Sequence, residues 1–128
     1  MGSAEVKKTL EQYFLTNWTA TAIQFDGVPF DYTGKTSWIS LVYSSAANST
    51  WAFDGSITGH VLREGVFKVF CYAKSPPLAF KLGDSIQSFL NEKKIGGVEL
   101  GTGQDGSSNK LDNGYFEVPV TYFTKNFG

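Results

Sequence analysis

The chain has 128 residues, 41% of them hydrophobic and 18% charged, and its 11 basic and 12 acidic side chains leave a formal net charge of −1. A chain of this length buries about two-thirds of its unfolded surface, so it folds as one domain, residues 1–128, on apolar packing without a disulfide or metal staple. The charge balance excludes a sequence-independent electrostatic grip on nucleic acid, and the 16% aromatic share leans towards strands and contact surfaces.

In chain order, Val6, Leu10, Tyr13 and Phe14 recur at helical spacing, which predicts an amphipathic helix from Ala4 to about Leu15 with Ser3 as N-cap. The β-branched and aromatic run Thr19 to Phe25 predicts a strand, and the alternation in Ser37 to Tyr43 predicts another with Ile39, Leu41 and Tyr43 facing the core. Between them, "FDGVPFDY" has turn chemistry, with Phe25, Val28 and Phe30 stapling the loop.

The small, uncharged "SSAANST", Ser44 to Thr50, reads as the mobile tip of a long hairpin, and Gly55 and Gly59 as bulges in the returning strand. "EGVFKVFCYAK", Glu64 to Lys74, is apolar on both faces, as a central strand is. Pro76 and Pro77 then open a helix capped by Ser75, with Leu78, Leu82, Ile86, Phe89 and Leu90 on one face as far as Lys93 and Lys94, and Gly96 and Gly97 as its stop.

A short strand, Val98 to Leu100, precedes "GTGQDGSSNKLDNG", which reads as turn-rich and too polar to pack. The last strand runs from Gly114 to about Thr124, its core face being Phe116, Val118, Val120 and Tyr122, with Pro119 marking an edge or bulge. The order predicts an α+β domain: a single, mostly antiparallel sheet with two helices packed on it and a long protruding hairpin.

The chemistry of catalysis does not assemble from these residues. His60 is the only histidine and Cys71 the only cysteine, so neither a zinc site nor a nucleophile–histidine pair has its parts. Cys71 reads as an ordinary core residue and His60 as a surface or interface one. "GTGQDG" matches G-x-G-x-x-G, but breakers follow where a dinucleotide site needs a helix N-terminus. Asp26 and Asp31 read as turn residues before they read as a carboxylate pair. No cofactor or metal is expected, and the chain reads as a non-enzyme.

A single cysteine and a charged N-terminal stretch point to a reducing cytosol, so the two Asn-x-Thr matches at Asn17 and Asn48 read as chance. Val6 stands where a myristoylation signal needs Ser or Thr. No apolar run reaches the ~18 residues of a membrane span.

"NWTATAIQFDGVPFD", "SWISLVY", a variable hairpin, "REGVFKVFCYA", a helix after prolines, a Gly-Gly pair and "GYFEVPVTYFTK" together resemble the tail terminator family of long-tailed bacteriophages and prophages, over about Glu5 to Lys125. The resemblance implies a homo-hexameric ring on the head-proximal end of the tail tube, within the virion and assembled in the host cytoplasm. Its partners would be copies of itself, the tail tube protein and a head-completion or connector protein, with DNA passing through the lumen without specific binding and no membrane involved. On that reading, Ser45, Asn48, Trp51, Phe53 and Asp54 on the hairpin are candidate tube contacts. Asp26, Asp31, His60 and Arg63 are candidate inter-subunit contacts, and Gln104, Asp105 and Lys110 candidate lumen or loop residues. The hairpin tip departs from the family in carrying no charge.

Two other readings compete. One is a different head-completion or neck subunit of related fold. The other is a small carbohydrate-binding module, which would need exposed tryptophans, whereas the positions of Trp18 and Trp38 predict burial and leave Trp51 as the only platform.

Overall fold

The computed structural model describes residues 2–51 and 60–127, with side chains described outside 46–51, 60–63 and Phe127. Two helices, α1 (Ser3–Asn17) and α2 (Pro76–Leu90), lie against a sheet with the strand order β1-β2-β3-β8-β5-β4. The principal strands are β1 (Ala22–Phe25), β2 (Ser37–Trp51), β3 (His60–Ala73) and β8 (Phe116–Phe127). Shorter ones are β4 (Lys94–Ile95), β5 (Val98–Leu100), β6 (Gln104–Asp105) and β7 (Asn109–Lys110), the last two pairing with β8. The α+β class is as the sequence predicts.

The sheet alternates as its period of two requires. Ile39 and Leu41 of β2, Phe67, Val69, Cys71 and Ala73 of β3, and Val118, Val120 and Tyr122 of β8 are all buried on one face. Both helices cover that face. α1 contributes Val6, Leu10 and Phe14, each fully buried, and α2 contributes Ala79, Leu82, Ile86 and Leu90. Between the helices runs an aromatic seam in which Phe14 lies 5.0 Å from Phe89 and 6.0 Å from Phe67, and Trp18 meets Phe89 edge-on at 5.2 Å. Trp18 and Trp38 are buried, as their positions predict.

Several local expectations need correction. Ser3 begins α1 rather than capping it, because Gly2 takes the extended cap conformation and its carbonyl accepts from Val6 N at 3.0 Å. The first strand loses Thr19 to Thr21, where the Trp18 indole N–H donates to Thr21 Oγ1 instead. That strand pairs with β2 in parallel, so the sheet is mixed at this edge. Val28 is 55% exposed and staples nothing, whereas Phe25 packs on the core.

"SSAANST" is paired backbone within β2, opposite Val61 to Val66 of β3 with a bulge between Ser45 and Ala47. The connection, with Gly55 and Gly59, lies outside the described residues.

α2 ends at Leu90 instead of reaching Lys93, and Leu78 is 53% exposed. Gly96 and Gly97, both at positive φ, form the tight turn from β4 to β5 rather than a helix stop. The polar segment after Leu100 does pack, supplying β6 and β7. β8 runs on to Phe127 and is paired on both sides, so Pro119 does not mark a sheet edge. Its carbonyl accepts from Gly106 N at 2.7 Å, just past the end of β6, and the bond that its missing N–H cannot return falls where β6 stops before β7 begins.

Candidate interaction surfaces

The long β2–β3 hairpin carries five of the residues singled out from the sequence. Register places Ser45 opposite Gly65, Asn48 opposite Arg63 and Trp51 opposite His60, so candidates assigned to a tube and to a neighbouring subunit lie on one arm. β8 accompanies β3 as far as Leu62, opposite Phe127, beyond which the described arm is two-stranded. At its base Tyr43 lies across Gly65, where an added Cβ would come within 2.6 Å of the ring carbon Cζ. The missing side chain of Gly65 therefore makes room for the Tyr43 ring at the base of the arm. Phe53 and Asp54 lie outside the described residues.

The turn after β1 holds the two aspartates apart in role. Asp26 is exposed and 3.7 Å from Lys7 Nζ on α1. Asp31 Oδ1 accepts from Thr33 N at 2.9 Å, an Asx turn, and hydrogen bonds from the Thr33 hydroxyl and amide hold its carboxyl below the ordinary range. This arrangement is turn chemistry, and among the described residues the groups acting on Asp31 are Thr33 and Lys35.

Beyond the turn the segment folds over the sheet face opposite the helices. Trp38 is the centre of that contact: Tyr72 stacks on it at 4.8 Å and Tyr32 at 5.3 Å, and Tyr115 meets it edge-on at 4.6 Å. The Tyr115 hydroxyl donates to Lys35 O at 2.7 Å, pinning the segment down. Burial, with a hydrogen bond to Glu117, pushes the Tyr72 hydroxyl pKa up. This five-ring group, which includes Phe30, leaves no local signal in the sequence, because Tyr32, Trp38, Tyr72 and Tyr115 come from separated segments.

The segment from Gly101 to Lys110 is tied to α2. Asn91 Oδ1 accepts from both Gly103 N (3.0 Å) and the Tyr122 hydroxyl (2.7 Å), and Gln87 Nε2 donates to Asp105 Oδ1 at 2.9 Å. Desolvation and the nearby Asp84 carboxylate raise the Asp105 pKa, against the lowering effect of the Gln87 bond. Gln104 is exposed on β6, and Lys110 is exposed on β7 opposite Phe116. The three lumen candidates thus share the outer flank of β8.

The face of β2, β3 and β8 away from the helices also carries apolar side chains. Phe123 is 65% exposed there, in line with Val66 of β3, and Leu15 and Val28 are exposed beside a shallow groove of about 260 Å³ at the end of α1. The same period-two reading that buries Tyr122 places Phe123 outward, so this exposure was readable from the alternation. Grooves of this size fall just under the roughly 300 Å³ at which small-molecule sites begin. Among the described residues no group of three or more His, Cys, Asp and Glu side chains is placed to hold a metal ion. Cys71 is fully buried, with its thiol pKa pushed up to about 12 by burial and by Asp105. No described helix is long and apolar enough to cross a membrane.

No protein-family model matches the chain, and no curated protein is detectably similar to it in sequence. Its fold is similar to that of a chain from the virion of a native gene transfer agent (GTA) particle, with a TM-score of 0.57 at 12% sequence identity over 99% of this chain and 98% of that one. At that identity the likeness is one of fold, and it extends from end to end of both chains.

Proposed function

We propose that this chain is a structural subunit of a phage-like virion and, more specifically, a tail terminator: a homo-hexameric ring that caps the head-proximal end of the tail tube, stops its growth and offers a surface for head joining. The observation that carries the proposal is the end-to-end fold likeness to a chain of a GTA virion. The molecule's own features agree with it. Exposed Phe123, Leu15 and Val28 and a long two-stranded arm suit protein contacts, whereas the described residues offer no deep pocket or convergent acids for turnover.

In this reading the arm bearing Ser45, Asn48, Trp51, Phe53 and Asp54 engages the tube. Asp26, Asp31, His60 and Arg63 meet a neighbour, and Gln104, Asp105 and Lys110 line the lumen or its rim. DNA passes without specific binding, in keeping with the net charge of −1.

Negative-stain microscopy of the pure protein, alone and mixed with tail tubes, tests the proposal. Six-fold rings, free or on tube ends, support it. A protein that stays monomeric at every concentration and leaves tubes unchanged removes the ring. Binding to empty heads but not to tubes favours a head-completion or neck subunit of related fold. A carbohydrate-binding module is disfavoured because Trp18 and Trp38 are 8% and 3% exposed, too little to stack on a sugar ring.

A further inference from the structure

Asn113-Gly114 is the chain's only asparagine followed by glycine. It lies in the exposed turn between β7 and β8, with Gly114 at φ +85° and no side chain to shield its nitrogen. The Asn113 carboxamide oxygen accepts from Tyr115 N at 3.1 Å, closing an Asx turn. The donated hydrogen bond makes the carboxamide carbon more electrophilic and keeps the side chain beside the Gly114 backbone. Gly114 N–H donates to Leu111 O at 3.1 Å. That bond is at the surface, where local opening costs little.

We infer that Asn113-Gly114 is a site of spontaneous deamidation, and that its isoaspartyl product loosens the pin that holds the segment over Trp38. The deprotonated Gly114 nitrogen attacks Asn113 Cγ, a C–N bond forms and ammonia leaves, closing a succinimide. Water then opens the ring at either carbonyl. Opening at the backbone carbonyl gives isoaspartate, with one extra methylene in the main chain, and opening at the other gives aspartate. The step needs no oxidant or cofactor, and it speeds up with pH because the attacking amide must lose its proton.

The product matters because of the next residue. Tyr115 N closes the Asx turn, and the same residue holds Lys35 O by its hydroxyl at 2.7 Å and meets Trp38 at 4.6 Å. A main chain longer by one methylene between residues 113 and 114 displaces that ring. Aspartate keeps both the backbone length and the acceptor oxygen.

The test incubates the intact purified protein at mildly alkaline pH beside a synthetic peptide spanning the β7–β8 turn, and maps isoaspartate by peptide mass analysis. The folded protein is expected to convert at residue 113 within about tenfold of the peptide rate, since the turn is exposed and its Gly114 bond opens at little cost. A folded protein slower than that, or one that deamidates first at another asparagine, overturns the site. The isoaspartyl-containing fraction, which ion exchange separates from unreacted protein, is expected to lose part of its near-ultraviolet tryptophan dichroism while Asn113→Asp keeps it. An unchanged tryptophan signal in the isoaspartyl fraction overturns the link to Tyr115.

Discussion

Phe14 is the residue on which the two-helix layer depends, and Phe14→Ala measures that dependence. Its ring is fully buried and lies within 5.0–6.1 Å of Phe89, Phe67 and Trp18, so truncation removes three ring contacts and leaves a cavity at the point where α1, α2 and β3 meet. Truncating a buried phenylalanine costs about 3–5 kcal/mol, and the ring pairs place this one near the upper end. A domain of this class has about 5–15 kcal/mol in total, so the variant is expected to fold but with much of its margin gone. In urea, with a slope of roughly 2 kcal/mol/M, the midpoint falls by about 2 M. Phe89→Ala is expected to cost less, since that ring is only partly buried. The double variant is expected to show coupling of about 0.5–1.5 kcal/mol, because the two rings touch. A loss below about 1 kcal/mol for Phe14→Ala would refute the account of the core given above.

Other outcomes follow from the same geometry. Gly103→Ala puts a Cβ 2.5 Å from Tyr122 Cζ and disturbs the shared Asn91 acceptor, and is expected to cost about 1–3 kcal/mol by thermal unfolding, whereas Gly101→Ala, with open space around it, is expected to be near neutral. Cys71 is expected to resist thiol reagents until the chain unfolds. Its folded pKa of about 12 lies above its ordinary 9.0, so the linked stability is complete below pH 9.0 and is lost as pH rises towards 12, which an alkaline series of urea midpoints reads directly. Trp51→Ala with Phe53→Ala is expected to give a folded protein that no longer caps tubes, with tails of uncontrolled length that fail to join heads. Normal tail length with that variant would remove the arm from the mechanism.

Periodicity alone determined a good deal. The spacing of Val6, Leu10 and Phe14, and of Leu82, Ile86 and Leu90, specified two helices and the faces they bury, because apolar residues at helical intervals have only one stable way to leave water. The alternation through Val118, Val120 and Tyr122 likewise specified a strand and its core face. Aspartate chemistry located the turn at Asp31, and the proline pair located the start of α2 at Pro76. What the sequence could not decide were matters settled by partners distant along the chain. β1 runs parallel to β2 because the turn segment folds over Trp38 before β2 begins, a path fixed by Tyr72 and Tyr115 from far along the chain. "SSAANST" is strand because β3 lies opposite it, despite a composition typical of a loop. The segment "GTGQDGSSNKLDNG" is held by Asn91, Gln87 and the open flank of β8, none of which its own polar residues announce. Local propensity decides where an element has its own apolar stripe, and tertiary hydrogen bonding decides where it has none.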